Sequence, residues 1–572
     1  MDDAIIEFRN FSFRYDSQAE NTLYDINLKI RKGEKVLICG PSGCGKSTLS
    51  HCMNGLIPAS YPGEASGDLI IGGKSFLDHT IFSLSRITGT VLQDSDGQFI
   101  GLTVGEDIAF ALENDNTPLS EMKEKVMRAA RRVGVEKFLS HAPHELSGGQ
   151  KQRVSLAGVM VDDVSLFLFD EPLANLDPAT GKTTIELIDQ IQKTTDAAVV
   201  IIEHRIEDVL HRPVDRIVLM NDGRIAADMS PDELLSSPLL KECGIREPLY
   251  VTALKYAGVS VNADMHPGLI DTLTLSEADI ERVRTWYENT LLPPEKEKGE
   301  VILEAENIAF HYDNGHEALK DVSLKVRKGE MISIVGRNGA GKSTFSKIIC
   351  GFLKPQQGML YLSGEDLSRL SIKERAERIG YVMQNPNQML TKPMIRDEVA
   401  LGLRLRGKLS EEEILKKTDE VLRICSLYEM RSWPVSALSY GQKKRVTIAS
   451  ILAMDPEIVI LDEPTAGQDF RRYTEIMEFL RGLNSLGVTI ILITHDMHLM
   501  LEYTPRALVF SGGELIADKS AAQVLCDGDL VRRAALKETS LFALAKSCGV
   551  DAPVAFVDRF IDADREVRAH GR

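Results

Sequence analysis

The chain of 572 residues is 43% hydrophobic and 26% charged, with a net charge of −17. That length exceeds what one hydrophobic core serves and predicts two or more domains, while the acidity argues against nucleic acid as the main partner, because phosphate backbones are bound by clustered Lys and Arg. No apolar run approaches the ~20 residues that span a bilayer, and the start MDDAIIEFRN lacks a basic segment followed by an apolar one, so neither a membrane span nor a signal peptide is expected.

Taken in chain order, residues 5–15 (IIEFRNFSFRY) alternate apolar and polar side chains and predict a strand of an antiparallel sheet. The apolar run KVLICG (35–40) predicts a buried parallel strand and leads directly into GPSGCGKST (40–48). SLFLFD (165–170) and AVVIIEH (198–204) predict two more such strands. A helical appendage is expected over 230–290, and LLPPEKEKGE (291–300) reads as a linker in which Pro and charge replace any apolar period. The design then repeats. LYDINLKIRKGE (23–34) returns as LKDVSLKVRKGE (319–330), LSGGQKQRV (146–154) as LSYGQKKRV (438–446), and FLFDEP (167–172) as VILDEP (459–464). MISIVG, EIVILD and TIILITH supply the second set of strands, and the tail from Ser520 resembles the one from Ser230. The expected organisation is therefore 1–229, the appendage 230–290, the linker 291–300, 301–519, and a second appendage 520–572. The eight cysteines (Cys39, Cys44, Cys52, Cys243, Cys350, Cys425, Cys526 and Cys548) form no CxxC pair, which points to reduced thiols rather than a disulfide framework or zinc site.

Both GPSGCGKST and GRNGAGKST (336–344) satisfy the phosphate-loop pattern. Glycines let successive backbone N–H groups face one concavity, and the helix that follows adds its positive end. The predicted nucleotide-binding residues are Gly40, Pro41, Ser42, Gly43, Cys44, Gly45, Lys46, Ser47 and Thr48, and in the second half Gly336, Arg337, Asn338, Gly339, Ala340, Gly341, Lys342, Ser343 and Thr344. Lys46 and Lys342 are placed to reach the β- and γ-phosphates, while Ser47 and Ser343 offer hydroxyls to Mg2+. Asp170 and Asp462 close apolar strands, where a carboxylate can hold the same magnesium ion. Glu171 and Glu463 follow and are the candidates to polarise the attacking water.

LSGGQ (146–150) and its variant LSYGQ (438–442) resemble the signature of ATP-binding cassette proteins, over nearly the whole chain. The resemblance implies an α/β fold of two tandem P-loop nucleotide-binding domains, each with an antiparallel β subdomain, a helical signature subdomain and a C-terminal helical appendage. It implies that Tyr15 and Tyr312 stack on adenine, that Gln93 and Gln384 are the Q-loop glutamines that contact magnesium, that Asp177 and Asp469 form D-loops, and that His204 and His495 are the switch histidines that bond the γ-phosphate. It also implies that each signature (Ser147, Gly148, Gly149 and Gln150; Ser439, Tyr440, Gly441 and Gln442) completes the ATP site of the other half. Site one would combine Lys46, Gln93, Asp170, Glu171 and His204 with Ser439 and Gly441. Site two would combine Lys342, Gln384, Asp462, Glu463 and His495 with Ser147 and Gly149. With both sets complete, both sites are expected to hydrolyse ATP. Tyr440 departs from the pattern, and is expected to alter closing at site one if the geometry there needs glycine.

The loops VLQDSDGQF (91–99) and VMQNPNQML (382–390), the segment IIEHRIEDV and the paired appendages resemble the ATPases of energy-coupling factor importers, which take up vitamins and transition metals. That implies a peripheral subunit on the cytoplasmic face of the cell membrane, partnered by an integral membrane scaffold and a substrate-binding membrane protein. The docking groove would involve Ser95, Asp96, Gln98 and Phe99, and Pro386, Asn387, Gln388 and Met389. A ribosome-acting ABC-F-type ATPase and a fused sugar-importer ATPase are the rival readings; the first is disfavoured by acidity and a linker short of basic charge, the second by two complete sites. The appendages either stabilise the pairing of halves or are plain packing helices.

Overall fold

A computed structural model describes residues 4–92, 96–174, 176–290, 299–313, 315–465 and 468–570. The chain divides into two compact units, Met1–Leu176 with Thr180–Trp286, and Tyr287–Arg572 with Asp177–Ala179.

In the first unit the alternating N-terminal segment forms the strand Ala4–Tyr15, paired antiparallel on one side with Leu23–Arg31 and on the other with Gly63–Ile71, in a four-stranded sheet. Its inward residues Phe8, Phe11 and Phe13 are buried against Ile38, Leu168 and Val200 of the second sheet. That second sheet has six strands. Lys35–Cys39 lies between Ala198–Ile202 and Arg216–Asn221, Leu166–Asp170 and Thr88–Val91 extend it on one side, and Arg224–Met229 closes the other edge. The four inner strands read as unbroken apolar runs because both faces are covered. Pairing is parallel throughout except at the last edge.

The second unit repeats this plan. Val301–His311 pairs with Glu317–Arg327 and Gln357–Leu362, and Met331–Val335 lies between Thr489–Ile493 and Arg506–Ser511 in a six-stranded sheet of the same order. A separate apolar cluster, including Val399, Leu422, Val446 and Leu480, holds the helical signature region of this unit. Helices follow the last strand of each unit, from Pro231–Ser236 to Glu277–Asn289 and from Ala521–Leu525 to Pro553–His570. Among the described residues no helix is long and apolar enough to cross a membrane.

The topology dictates where chemistry gathers. In a parallel sheet of this kind the carboxyl ends of the central strands and the loops after them form the binding edge. The phosphate loops, Asp170–Glu171, His204 and their second-unit counterparts all occupy that edge.

Candidate functional site

Each phosphate loop leaves its central strand through a glycine that tolerates no side chain. A Cβ on Gly40 would stand 2.4 Å from the Met220 carbonyl oxygen, and one on Gly336 would stand 2.1 Å from that of Phe510. The loops end on Gly45 and Gly341, at φ 99° and 100°, which cap the helices Lys46–Met53 and Lys342–Cys350 in the left-handed region where glycine is unstrained. Lys46 Nζ donates to the carbonyls of Gly40 and Pro41, both at 2.8 Å, and Lys342 Nζ to those of Gly336 at 2.6 Å and Arg337 at 3.0 Å. Both lysines are buried inside their loops. Thr48 and Thr344 share hydrogen bonds of 3.0 Å with the hydroxyls of Tyr15 and Tyr312, so both predicted adenine platforms stand beside a phosphate-loop helix.

Asp170 and Asp462 end their strands half-buried, and burial holds both carboxyls above the usual range. The Tyr381 hydroxyl, which the sequence reading did not single out, donates to Asp462 Oδ2 at 2.8 Å. Glu171 and Glu463 sit at φ 46° and 45°, in the left-handed region unusual for a residue with a side chain. Their N–H groups donate to the carbonyls of Ile202 and Ile493, each at 2.9 Å. Strain of this kind, repeated in both units, marks positions where the aim of a side chain matters more than backbone ease. Burial pushes the Glu171 carboxyl up, with the His204 ring opposing, toward the range useful to a general base. Burial also pulls the Lys342 ammonium down, with Glu463 opposing.

The two switch histidines find different partners. His495 Nδ1 is hydrogen-bonded to Glu463 Oε1 at 2.6 Å. His204 Nδ1 lies 3.9 Å from Glu171 Oε1 but 3.1 Å from Oε1 of Glu203, which is completely buried. That oxygen also accepts the N–H groups of His204 and Arg205, at 2.9 and 3.2 Å. The equivalent residue in the second unit is Thr494, whose hydroxyl donates to Glu463 at 3.3 Å and accepts the Asp496 N–H at 2.9 Å. Arg205 donates to the Leu173 carbonyl, two residues past Glu171.

The signatures are helix caps. Ser147 accepts the Gln150 N–H while Gln150 Oε1 accepts that of Ser147, and Ser439 and Gln442 do the same, so the invariant spacing between serine and glutamine is a capping box. This corrects the expectation for Tyr440. It opens the helix Tyr440–Leu452, neither it nor Gly148 has a positive φ, and a Cβ on Gly148 meets nothing within 4 Å. A side chain is therefore tolerated there; the position that excludes one is Gly149, whose Cβ would stand 2.6 Å from Thr180 Cγ2. Gly441 has ordinary room, its nearest neighbour being Gln468 Oε1 at 3.8 Å. Asp177 and Asp469 are buried at the starts of the helices Pro178–Thr194 and Phe470–Ser485.

Gln93 and Ser95, most of the linker (291–298), and Asn175 and Gly467 of the D-loops lie outside the described residues. Of the expected docking residues, Gln98 is turned onto its own loop, where it accepts the Leu92 N–H at 3.3 Å and donates to the Thr90 carbonyl at 3.2 Å. Pro386 is buried, whereas Asn387 and Gln388 are exposed. Lys444 belongs to the site and was missed. Burial brings its ammonium down to about 8, with Asp462 and Glu463 opposing. The available signal was the substitution of Lys444 for Gln152, one of two differences between the signature segments.

Two phosphate loops, each with a strand-end aspartate, a strained glutamate and a switch histidine on one sheet edge, define a P-loop nucleotide hydrolase with two catalytic sets. A family model described as ABC transporter matches residues 23–174 and again 319–466, and one described as ATP-binding cassette cobalt transporter matches 237–310. An ABC transporter ATP-binding protein of Clostridium perfringens (strain 13 / Type A) is 56% identical over 565 residues, 99% of each chain. Similarly named proteins of Enterococcus faecalis and Vibrio vulnificus (strain CMCP6) are 56% identical over 567 residues (99% of each chain) and 52% over 564 (98% of each chain). Among solved structures, cbiO1 of Clostridium perfringens, described as part of the ABC transporter complex cbiONQ, is 36% identical, covering 41% of this chain and 94% of that one at a TM-score of 0.38. The chain belongs to the ABC transporter ATP-binding family, and its cassettes bind and hydrolyse ATP.

Proposed function

We propose that the chain is the energy-coupling ATPase of an importer of the energy-coupling factor type, working on a vitamin, vitamin precursor or transition metal from the cytoplasmic face of the cell membrane. What supports the reading is a phosphate loop, strand-end aspartate, glutamate and histidine in each cassette, together with the cobalt-transporter match over 237–310. Its partners would be an integral membrane scaffold and a substrate-binding membrane protein. Exposed apolar side chains beside the first Q-loop support a docking surface there: Leu92, Ile100 and Leu102 are 39%, 66% and 83% exposed. Such residues on a soluble face mark interaction sites when they gather.

In each centre the loop amides and Lys46 or Lys342 hold the phosphates, while Tyr15 or Tyr312 carries the adenine. Glu171 or Glu463 takes a proton from the attacking water, and His204 or His495 bonds the γ-phosphate as charge develops. Ser47, Gln93 and Asp170, with Ser343, Gln384 and Asp462, would hold magnesium. These all-oxygen sets suit a hard cation, and the raised proton affinity of Asp170 and Asp462 is what a neighbouring cation reverses. Magnesium, when bound, neutralises and orients the β- and γ-oxygens. Each signature would complete the opposite centre, so that ATP draws the cassettes together and its hydrolysis lets them part.

The test is co-purification of the tagged full chain from its native cells in mild detergent. The expected result is one or two small hydrophobic proteins, lost when Ile100→Asp and Leu102→Asp are introduced. Ribosomal proteins without a membrane partner would overturn the reading.

A further inference from the structure

The signature helix of the second cassette is fastened to its own Q-loop by three side chains, two of which, Tyr440 and Lys444, the first cassette does not have. Tyr440 Oη donates to the Gln384 carbonyl at 3.0 Å. One turn on, Lys444 Nζ donates to the carbonyls of Met383 at 2.7 Å and Gln384 at 2.9 Å. Lys443, between them in the turn, donates to Asn387 Oδ1 at 3.1 Å. Residues at these spacings share one helix face, so the loop is gripped from a single side. Lys444 is completely buried. A buried ammonium is tolerated only while it is hydrogen-bonded, so the Met383–Gln384 backbone cannot leave without stranding it.

At the matching positions of the first cassette stand Gly148, which has no side chain, and Gln152. The Gln152 amide turns elsewhere, donating to the Pro172 carbonyl and accepting from Thr184 at 3.3 Å. There the loop is braced internally through Gln98. The residue that corresponds to Gln98 in the second cassette is Met389, whose sulfur accepts the Met383 N–H at 3.2 Å. Among the described residues the two loops are thus secured by different contacts, and in the second they run through Tyr440 and Lys444 of the signature helix.

We propose that Tyr440 and Lys444 are positioning residues for the Q-loop of the second cassette. They tie the Gln384 backbone to the helix that begins at Ser439, so a displacement of residues 384–389 moves the second signature directly. The tie itself is independent of what the chain transports; that a membrane partner does the displacing rests on the importer reading.

The experiment is hydrogen–deuterium exchange of the full chain as wild type, Tyr440→Phe, Lys444→Gln and the double variant. Peptides covering 383–390 should exchange about tenfold faster in the double variant, and by a smaller factor in Tyr440→Phe, while peptides covering 88–100 stay unchanged. Tyr440→Phe removes one hydroxyl from a half-buried residue and keeps the test valid if Lys444→Gln misfolds. In a Glu171→Gln background, which leaves turnover to the second set, Lys444→Gln should lower kcat about three- to tenfold with KM for ATP little changed. Unchanged exchange over 383–390 in both single variants overturns the proposal, as does a uniform rise over the whole chain. Faster local exchange in a chain that recovers no membrane protein from cells supports the tie and sinks the importer reading separately.

Discussion

The two switch segments hold the same histidine on the same strand end, yet they wire it differently. In the first cassette the buried Glu203 gathers the His204 ring and two backbone N–H groups, leaving His204 and Glu171 3.9 Å apart. In the second, Thr494 carries no charge and His495 is bonded directly to Glu463 at 2.6 Å. Nearby acids and bases diverge in the same direction, since the first set gains the carboxylate of Glu203 and the second the ammonium of Lys444. Matching motifs therefore do not make matching centres. The proposed general base of the second is hydrogen-bonded to its histidine, whereas that of the first stands 3.9 Å from it.

The comparison breaks first at the glutamates. Glu171→Gln and Glu463→Gln should each lower turnover at the altered centre by ~100-fold or more, read by single-turnover hydrolysis of labelled ATP. A single variant with wild-type steady-state hydrolysis would leave only one working centre. Next, Glu203→Thr gives the first switch the residue of the second. Losing a buried acceptor for two N–H groups should lower stability by about 1–3 kcal/mol in denaturant titration. In a Glu463→Gln background its hydrolysis should also fall, as the ring turns to Glu171; unchanged kcat would show that Glu203 only packs. The signature glycines sharpen the contrast at smaller scale. Gly149→Ala should cost about 1–2 kcal/mol because its Cβ meets Thr180, whereas Gly441→Ala and Gly148→Ala should stay within about 0.5 kcal/mol, by thermal unfolding.

A pH-dependent effect belongs to the second appendage, where burial, with Asp562 adding, raises the Asp558 carboxyl to about 6. A folded-state pKa above the ordinary carboxylate value means the fold favours the protonated form. Stability is then lost as pH rises from about 4 through about 6. Asp558→Asn should therefore raise Tm above pH 6 and give no gain below about pH 4. A gain equal at both pH values would assign the effect to packing instead of charge.

The fold was legible because a parallel sheet buried on both faces writes its strands as apolar runs, and KVLICG, SLFLFD and AVVIIEH each became one. The phosphate loops were equally legible, since only glycine fits where Gly40 and Gly336 pass a carbonyl. Less of the loop chemistry could be read. The second glutamines Gln98 and Gln388 look paired in sequence, but register sets Gln98 against Met389, and Gln98 turned onto its own backbone. The effect of Tyr440 hung on whether its position needs glycine, and an aligned motif does not reveal that the backbone there takes no special φ.

By itself, then, the sequence determined two cassettes, their nucleotide loops, their strand-end acids and their family. Those follow from local periodicity, from glycine sterics and from motifs whose spacing is fixed by one strand and one turn. Only the tertiary structure decided which carboxylate each histidine meets, that Glu171 and Glu463 occupy a strained backbone region, and that Lys444 grips the second Q-loop. These depend on side chains that lie far apart in the chain and share one sheet edge, where a change of a single residue, Glu203 for Thr494 or Lys444 for Gln152, redirects hydrogen bonds that no local pattern records.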